Sequence, residues 1–546
     1  MNMEPYLAPR AANHVPLTPV DFLLRAVEVH GDRAAVVWGS RAWTYGAFAR
    51  LVGRFARFLK ASGVGRGDVV SVMASNRPEM LAAHYAVPML GAVLNTINMR
   101  LDPGTVGYIL GHCESKLLIC DAECRAVALQ AIPHGMPCHV LHSPSGGTSE
   151  GGALDILGDD GIDIDFDLSA IGDEWQALCV NYTSGTTGRP KGAVYTHRGA
   201  YLNAIGNVLA LGLTSRATYL WTLPMFHCNG WCHTWAVTAA GGLHVCLDRP
   251  DPALIFQALE AHRVTHLACA PVVLYMMLNH PARATRNAGN RVKVATGGAS
   301  PSETLIEQCT ALGFDLIHLY GLTESYGPAT LRDLTDEERA RPAADVARAL
   351  ARQGMRHATA SRTLVVDEDG NAVPMDGATM GEVVLVGNTL MAGYYRDAQA
   401  TVHAFRGNAF HTGDLAVRHP DGNIEIRDRS KDIIISGGEN ISSLEVENVL
   451  QRHPAVLIAA VVAQPHEKWG ETPVAFIELR ENAQTSESEL RSFCAAHLAG
   501  YKIPSRFYFS ELPKTATGKI QKFALRERAR SPQPAGPGSL SPAGDR

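Results

Sequence analysis

From Trp175 onward, short apolar runs alternate with longer amphipathic stretches. The runs 177–182, 219–223, 243–247, 265–268, 291–295 and 314–319 have strand length, and their alternation with helical patterns predicts α/β layers. One junction is spelled out in detail. Thr296-Gly297-Gly298 closes a run, and Ser300-Pro301-Ser302-Glu303 then supplies a capping hydroxyl at Ser300, a proline at the first helical position and a carboxylate at the third. Open α/β sheets bind ligands beyond the carboxyl ends of their strands, and three such ends carry unusual chemistry. They are the loop after 177–182, the turn Gly297-Gly298-Ala299, and Tyr320-Gly321-Leu322-Thr323-Glu324.

Ile426-Arg427-Asp428-Arg429-Ser430-Lys431-Asp432 is a dense charge cluster between two apolar runs and marks a boundary. The expected organisation is a large multi-subdomain domain over 1–428, a smaller mobile α+β domain over 429–530, and a disordered Pro/Gly/Ser tail over 531–546. The first 170 residues carry helix and strand patterns without a chemical motif, which assigns them to packing. The Gly/Ser/Asp-rich stretch 143–161 predicts a surface loop, and no internal repeat stands out.

Composition narrows the function. A chain of 546 residues with 46% hydrophobic and 19% charged residues is built to bury large cores. A net charge of -5 over that length offers no basic face for nucleic acid and no polybasic anchor. No uncharged apolar run reaches the roughly 18 to 20 residues of a membrane span. The nearest, 82–97, is short and contains His84. Eleven scattered cysteines, no secretory pattern at the start and no Ser-Lys-Leu at the end predict a reduced, cytoplasmic enzyme. The expected partner is a small-molecule carboxylic acid, with no nucleic acid and no integral membrane segment; a homodimer is one expected assembly.

Tyr182-Thr183-Ser184-Gly185-Thr186-Thr187-Gly188-Arg189-Pro190-Lys191-Gly192 concentrates hydroxyls, glycines and a lysine where a strand ends. Glycines bring backbone N–H groups close to a ligand, hydroxyls donate to phosphate oxygens, and Lys191 supplies charge. A P-loop requires G-x-x-x-x-G-K-[ST], but Pro190 precedes Lys191 and Gly192 follows it, so that motif fails.

The loop, together with Tyr320-Gly321-Leu322-Thr323-Glu324, Phe410-His411-Thr412-Gly413-Asp414, Asp428-Arg429-Ser430-Lys431-Asp432 and Pro513-Lys514-Thr515-Ala516-Thr517-Gly518-Lys519-Ile520, resembles the adenylate-forming superfamily of acyl-CoA synthetases over nearly the whole chain. The resemblance implies ATP, Mg²⁺ and CoA as cofactors and a two-step reaction through an acyl-adenylate. It implies that Thr183, Ser184, Gly185, Thr186, Thr187, Gly188 and Lys191 hold phosphates, that Glu324 holds Mg²⁺, and that Thr323 bonds the α-phosphate. Tyr320 with Gly297, Gly298 and Ala299 would frame adenine, Asp414 and Arg429 would hold ribose, and Lys519 would be the catalytic lysine. Lys431 would be the hinge, after which Gly437, Gly438 and Glu439 face CoA.

Trp221 to Trp235 is the most individual segment. His227, Cys228, Cys232 and His233 lack the spacing of a zinc finger, so an apolar pocket is preferred, with core packing as the alternative. A helix over 230–235 would put Trp231 and Trp235 on one face, able to line an acyl cavity. The segment resembles short- and medium-chain acyl-CoA ligases and methylmercaptopropionate-CoA ligases, in which the counterpart of His227 sits at the acyl and CoA junction. Acetate-specific relatives carry tryptophan where Gly321 falls, which implies a wider wall and an acid larger than acetate. The predicted activity is an AMP-forming acid–thiol ligase for a short- to medium-chain aliphatic or thioether acid. Small aromatic acids, loading of a carrier protein and a silent binder are the alternatives.

Overall fold

The computed structural model describes residues 7–141, 154–157, 167–183, 189–298, 301–360, 362–514 and 520–530. Contacts divide the described residues into two compact units, one within 7–412 plus 418–425, the other 413–417 with 426–514 and 520–530.

All five predicted strands between 219 and 319 lie in one sheet of the first unit. Its six parallel strands run in the order Phe314–Leu322, Val292–Thr296, His266–Cys269, Thr218–Trp221, Leu243–Cys246 and Ala34–Trp38. Gly327–Arg332, Met355–Arg356 and Arg41–Thr44 extend its edges in antiparallel fashion. The sixth predicted strand, Ala177–Thr183, belongs to a second sheet of seven, ordered Gly393–Tyr394, Lys191–Thr196, Ala177–Thr183, Val93–Thr96, Val69–Met73, Ser115–Cys120 and Cys138–Val140. Four of those strands come from the first 170 residues, which therefore build the sheet that carries the phosphate-loop candidate.

The apolar run at 82–97 becomes most of the helix Pro78–Met89, buried on every face, followed by Val93–Thr96. A helix that is apolar all round belongs in a core. Its start is fixed by Arg77, fully buried and paired with Glu79 at 2.5 Å and Asp121 at 2.7 Å.

Two local expectations are corrected. The cap is Ser302 rather than Ser300: its Oγ accepts from Leu305 N at 3.2 Å and the helix is Glu303–Ala311, so Pro301 precedes the helix instead of opening it. Of the expected surface loop 143–161, residues 154–157 are described, and Ile156 and Leu157 are buried. Arg54 donates to Ile156 O at 3.1 Å and Arg41 to Leu157 O at 3.0 Å, so these carbonyls are satisfied inside the protein. The tail 531–546 lies outside the described residues.

The second unit is α+β. Its long hairpin, Val456–His466 with Gly470–Leu479, is extended by Ile434–Ser436, Glu439–Ile441 and the parallel Phe507–Phe509. Side chains alternate across a strand. Ala459 and Val461 pack with Leu450 and Leu490, while Ala460 and Val462 pack with Leu525 and Ala529. The sheet thus has helices Ser443–Gln451 and Glu487–Ala495 on one face and Lys522–Arg530 on the other. Among the described residues of the chain, no helix is long and apolar enough to cross a membrane.

Candidate active site

Ala177–Thr183 turns back as Lys191–Thr196, with Thr183 directly opposite Lys191. Ser184, Gly185, Thr186, Thr187 and Gly188, with Ala299 and Lys519, lie outside the described residues. At the hairpin end the Lys191 side chain is 40% exposed and 3.7 Å from the Asp397 carboxylate, and its ammonium lies 5.1 Å from the centroid of the Tyr394 ring. Gly393 and Tyr394 are brought there by pairing with Val194 and Ala193.

Thr323–Ser325 forms a single turn at the carboxyl end of Phe314–Leu322. Ser325 ties the turn down, accepting from Leu322 N at 2.9 Å and donating to Gly327 O at 2.7 Å. Tyr195, stacked on Tyr326, donates to Thr323 O at 2.5 Å. Met391 N donates to Glu324 O at 2.8 Å, and the Tyr394 hydroxyl donates to Glu324 Oε1 at 2.8 Å. Burial and then the Glu324 charge push the Tyr394 phenol well above its ordinary pKa, so it remains a donor. Tyr394 therefore touches the hairpin lysine with its ring and the Glu324 turn with its hydroxyl.

The segment after Thr218–Trp221 corrects a third expectation. Cys228, Asn229, Gly230, Trp231 and Cys232 all have left-handed backbone, with φ of 47, 46, 58, 53 and 61°, and the helix begins only at His233. Trp231 and Trp235 consequently do not share a helical face. Trp235 is fully buried, its Nε1 donating to His84 O at 3.2 Å, whereas Trp231 lies where a methyl on Gly297 would come within 3.3 Å of its ring. Left-handed backbone costs an ordinary L-residue roughly 1–2 kcal/mol, and such strain persists only where its surroundings over-determine it. Here Asn229 accepts from Asn181 at 2.5 Å and contacts His84 Nε2 at 3.1 Å, Asn207 donates to Trp231 O at 2.9 Å, and Cys232 Sγ contacts Tyr326 O at 3.4 Å. Burial lowers the His84 pKa to about 4, so this buried imidazole is neutral.

Cys228 Sγ reaches Thr323 Oγ1 at 3.3 Å, and burial pushes its thiol up to about 12. The half-buried His227, whose carbonyl accepts from Gly230 N at 2.8 Å, is thus anchored beside the Thr323–Glu324 turn. Gly298, with φ of 80°, follows Val292–Thr296, and the half-buried Tyr320 lies near the carboxyl end of the adjacent parallel strand Phe314–Leu322.

Gly321 corrects a fourth expectation. A Cβ there would collide with the Gly327 carbonyl oxygen and lie 3.1 Å from Ala329 N. The position points into the neighbouring strand at a register shift between Tyr320 and Gly321, so this glycine serves a close backbone approach rather than an open wall. The inference that the acid must exceed acetate loses its support.

In the second unit, Arg429 Nε lies 3.1 Å from Asp414 Oδ1. Lys431 is exposed, but partial desolvation and the neighbouring Arg429 and Arg526 draw its pKa from 10.5 to about 8. Gly437 and Gly438, with φ of 61 and 88°, make the tight turn before Glu439, and Gly437 N donates to Trp469 O at 2.8 Å.

Four contributors escaped the sequence reading: Tyr394, Asp397, Asn181 and the thiol of Cys228. Gly393-Tyr394-Tyr395-Arg396-Asp397 carried a usable signal in its aromatic and charged residues, but only strand pairing reveals what they face. The residues present fit a Mg²⁺-bound polyphosphate. Glu324 offers a hard carboxylate oxygen oriented by the Tyr394 hydroxyl and next in the chain to the Thr323 hydroxyl, and a single protein carboxylate suits an ion that takes most of its ligands from phosphate and water.

These features define a nucleotide-dependent activating enzyme, and comparison with known proteins gives the family. Residues 23–395 match the AMP-binding enzyme family and residues 445–519 its C-terminal domain. The chain is 42% identical to an acetate–CoA ligase of Humulus lupulus, covering 96% of both chains. It is 40% identical to a peroxisomal acetate/butyrate–CoA ligase of Arabidopsis thaliana, again covering 96% of each. Its fold matches a fatty acyl-CoA synthetase of Mycobacterium tuberculosis with a TM-score of 0.71 and 30% identity, over 94% of this chain and 98% of that one. The chain belongs to the AMP-binding enzymes; it is an AMP-forming acid–thiol ligase, an ATP-dependent acyl-CoA synthetase acting on a small carboxylic acid.

Proposed function

We propose that this synthetase activates a short- to medium-chain aliphatic or thioether monocarboxylic acid and transfers it to CoA. The observation that carries the reading is the Cys228–Thr323 contact, which joins the His227–Trp231 turn to the turn bearing Glu324. The names of the plant relatives, acetate and acetate/butyrate ligases, support the short end of the range.

The chemistry asks the protein to bring a carboxylate to a triphosphate against their repulsion, with reacting atoms roughly 3 to 3.5 Å apart. In this reading Thr183, Ser184, Gly185, Thr186, Thr187, Gly188 and Lys191 hold phosphates, Thr323 donates to the α-phosphate, and Tyr320, Gly297, Gly298 and Ala299 frame adenine. Glu324 would hold Mg²⁺, which supplies positive charge to the phosphate oxygens when bound. Asp414 and Arg429 hold the ribose hydroxyls, and Lys519 stabilises charge as the carboxylate displaces pyrophosphate. His227 and Trp231 border the acyl group. Lys431 is the hinge of a mobile domain beginning near 429, and Gly437, Gly438 and Glu439 meet CoA. Eleven free cysteines support a reducing compartment. Cytoplasmic residence is the proposal, with peroxisomal import, named for the Arabidopsis relative, as the outcome of cell fractionation that would replace it.

The acyl-site assignment is tested by ATP–pyrophosphate exchange on acids from acetate to decanoate, methylmercaptopropionate and benzoate, for wild type and Trp231→Ala. The expected result is a preference within C2 to C8 that moves about 10-fold toward longer acids in the variant, the scale of one or two methylenes. An unchanged order of preference would remove Trp231 from the acyl wall.

A further inference from the structure

We infer that Tyr394 is a positioning residue that sets the metal-binding orientation of Glu324 and at the same time seats Lys191. The inference rests on the assignment of Glu324 to Mg²⁺ and goes beyond it.

Tyr394 lies in the short strand Gly393–Tyr394, held by pairing with Val194 and Ala193 on the hairpin that carries Lys191. Its backbone N donates to Thr401 Oγ1 at 3.0 Å, and the next residue, Tyr395, donates its backbone N to Gly192 O at 2.7 Å. The ring is thereby fixed to the hairpin independently of Glu324. From that base its hydroxyl donates to Glu324 Oε1 at 2.8 Å, while its face lies under the Lys191 ammonium, 5.1 Å from the ring centroid. Glu324 is fixed independently as well, through Met391 N on its carbonyl and Ser325 across the turn.

A carboxylate with one oxygen held by a phenol presents its other oxygen in a defined direction. Hydrogen bonds of this kind orient metal ligands, and removing one typically costs 10–100-fold in metal affinity. The ring supplies a second, separable effect, since an aromatic face attracts a nearby ammonium. Asp397, 3.7 Å from Lys191, places an anion near the lysine as well.

The hydroxyl and the ring can be tested apart by measuring ATP binding calorimetrically on the full chain, first in EDTA and then at rising Mg²⁺. Tyr394→Phe is expected to raise the Mg²⁺ concentration at half-effect by about 10-fold while leaving metal-free ATP affinity within twofold. Tyr394→Leu is expected to add a loss of metal-free affinity. A Tyr394→Phe variant with the wild-type Mg²⁺ response, or one that loses metal-free and metal-bound affinity alike, overturns the inference. Glu324→Gln separates the two levels. If it abolishes the Mg²⁺ response while Tyr394→Phe does not alter it, the inference fails alone; if Glu324→Gln keeps the wild-type response, the metal assignment fails and the inference with it.

Discussion

Lys191 and Lys522 are the same residue type in opposite circumstances. Lys191 is 40% exposed, with a carboxylate 3.7 Å away and an aromatic face at 5.1 Å. Lys522 is largely buried in the second unit, 2.7 Å from Glu447 and 2.5 Å from Ser443 Oγ. Around it, Asp428 accepts from Ser443 N and Oγ at 2.5 and 2.6 Å, and Asp432 pairs with Arg526. One lysine is an exposed cation with distant partners; the other is a buried charge closely paired inside its unit.

The largest consequence is thermodynamic. Lys522→Met leaves Glu447 and Asp428 buried without their cation, and breaking a buried pair typically costs 3–5 kcal/mol. Urea unfolding is expected to show about that loss, whereas Lys191→Met should change stability by under about 1 kcal/mol, the worth of an exposed pair. Equal losses from both would erase the distinction.

Next comes Lys519→Ala, expected to cut adenylation by at least about 10²-fold yet spare thioester formation from supplied acyl-AMP. Equal loss of both half-reactions would refute the assigned role.

Acid distinguishes the two units. Burial lowers His84, His197, His318 and His357 to about 4 and His233 and His244 to about 3, and all six lie in the first unit. Between those values and 6.5 the unfolded chain binds more protons than the native one, so stability rises with pH and is lost as pH falls from 6.5 toward 4. Moving from pH 7.5 to 5 should lower the first unit's melting temperature by at least about 2–4 °C, the shift for 1 kcal/mol in a large domain. A constant melting temperature would mean these histidines become accessible in the native state.

The smallest effect concerns Lys431. Its pKa near 8 predicts half-maximal acylation by acetic anhydride near pH 8, at lower pH than for an ordinary lysine, read by mass spectrometry. Ordinary labelling would show that Arg429 and Arg526 do not face it in solution.

The sequence carried the strands well, because apolar runs such as 291–295 and 314–319 were bounded by glycine and charge. Thr323, Glu324, Asp414 and Arg429 stand out by type and company; the structure places the first two on one turn and the last two 3.1 Å apart, and their roles are the proposal made above. The sequence did not carry the turn at 228–232. Helical spacing of Trp231 and Trp235 suggested a continuous helix, yet the Asn181 and Asn207 side chains and the Cys232 thiol bonded to Tyr326 O hold five left-handed residues, of which only Asn229 and Gly230 are types that favour that backbone. Gly321 misled for a related reason: a glycine reads as open space until the strand opposite is known. Tyr394 lay in plain sight but acquires meaning only through residues 70 and about 200 positions away.

The most direct measurement of the central claim is AMP release from ATP and Mg²⁺ over the acid panel, with and without CoA. Strong CoA-dependent turnover on a C2 to C8 or thioether acid, with one acyl-CoA formed per AMP, is the predicted result. Adenylation indifferent to CoA, or turnover confined to aromatic acids, would contradict it.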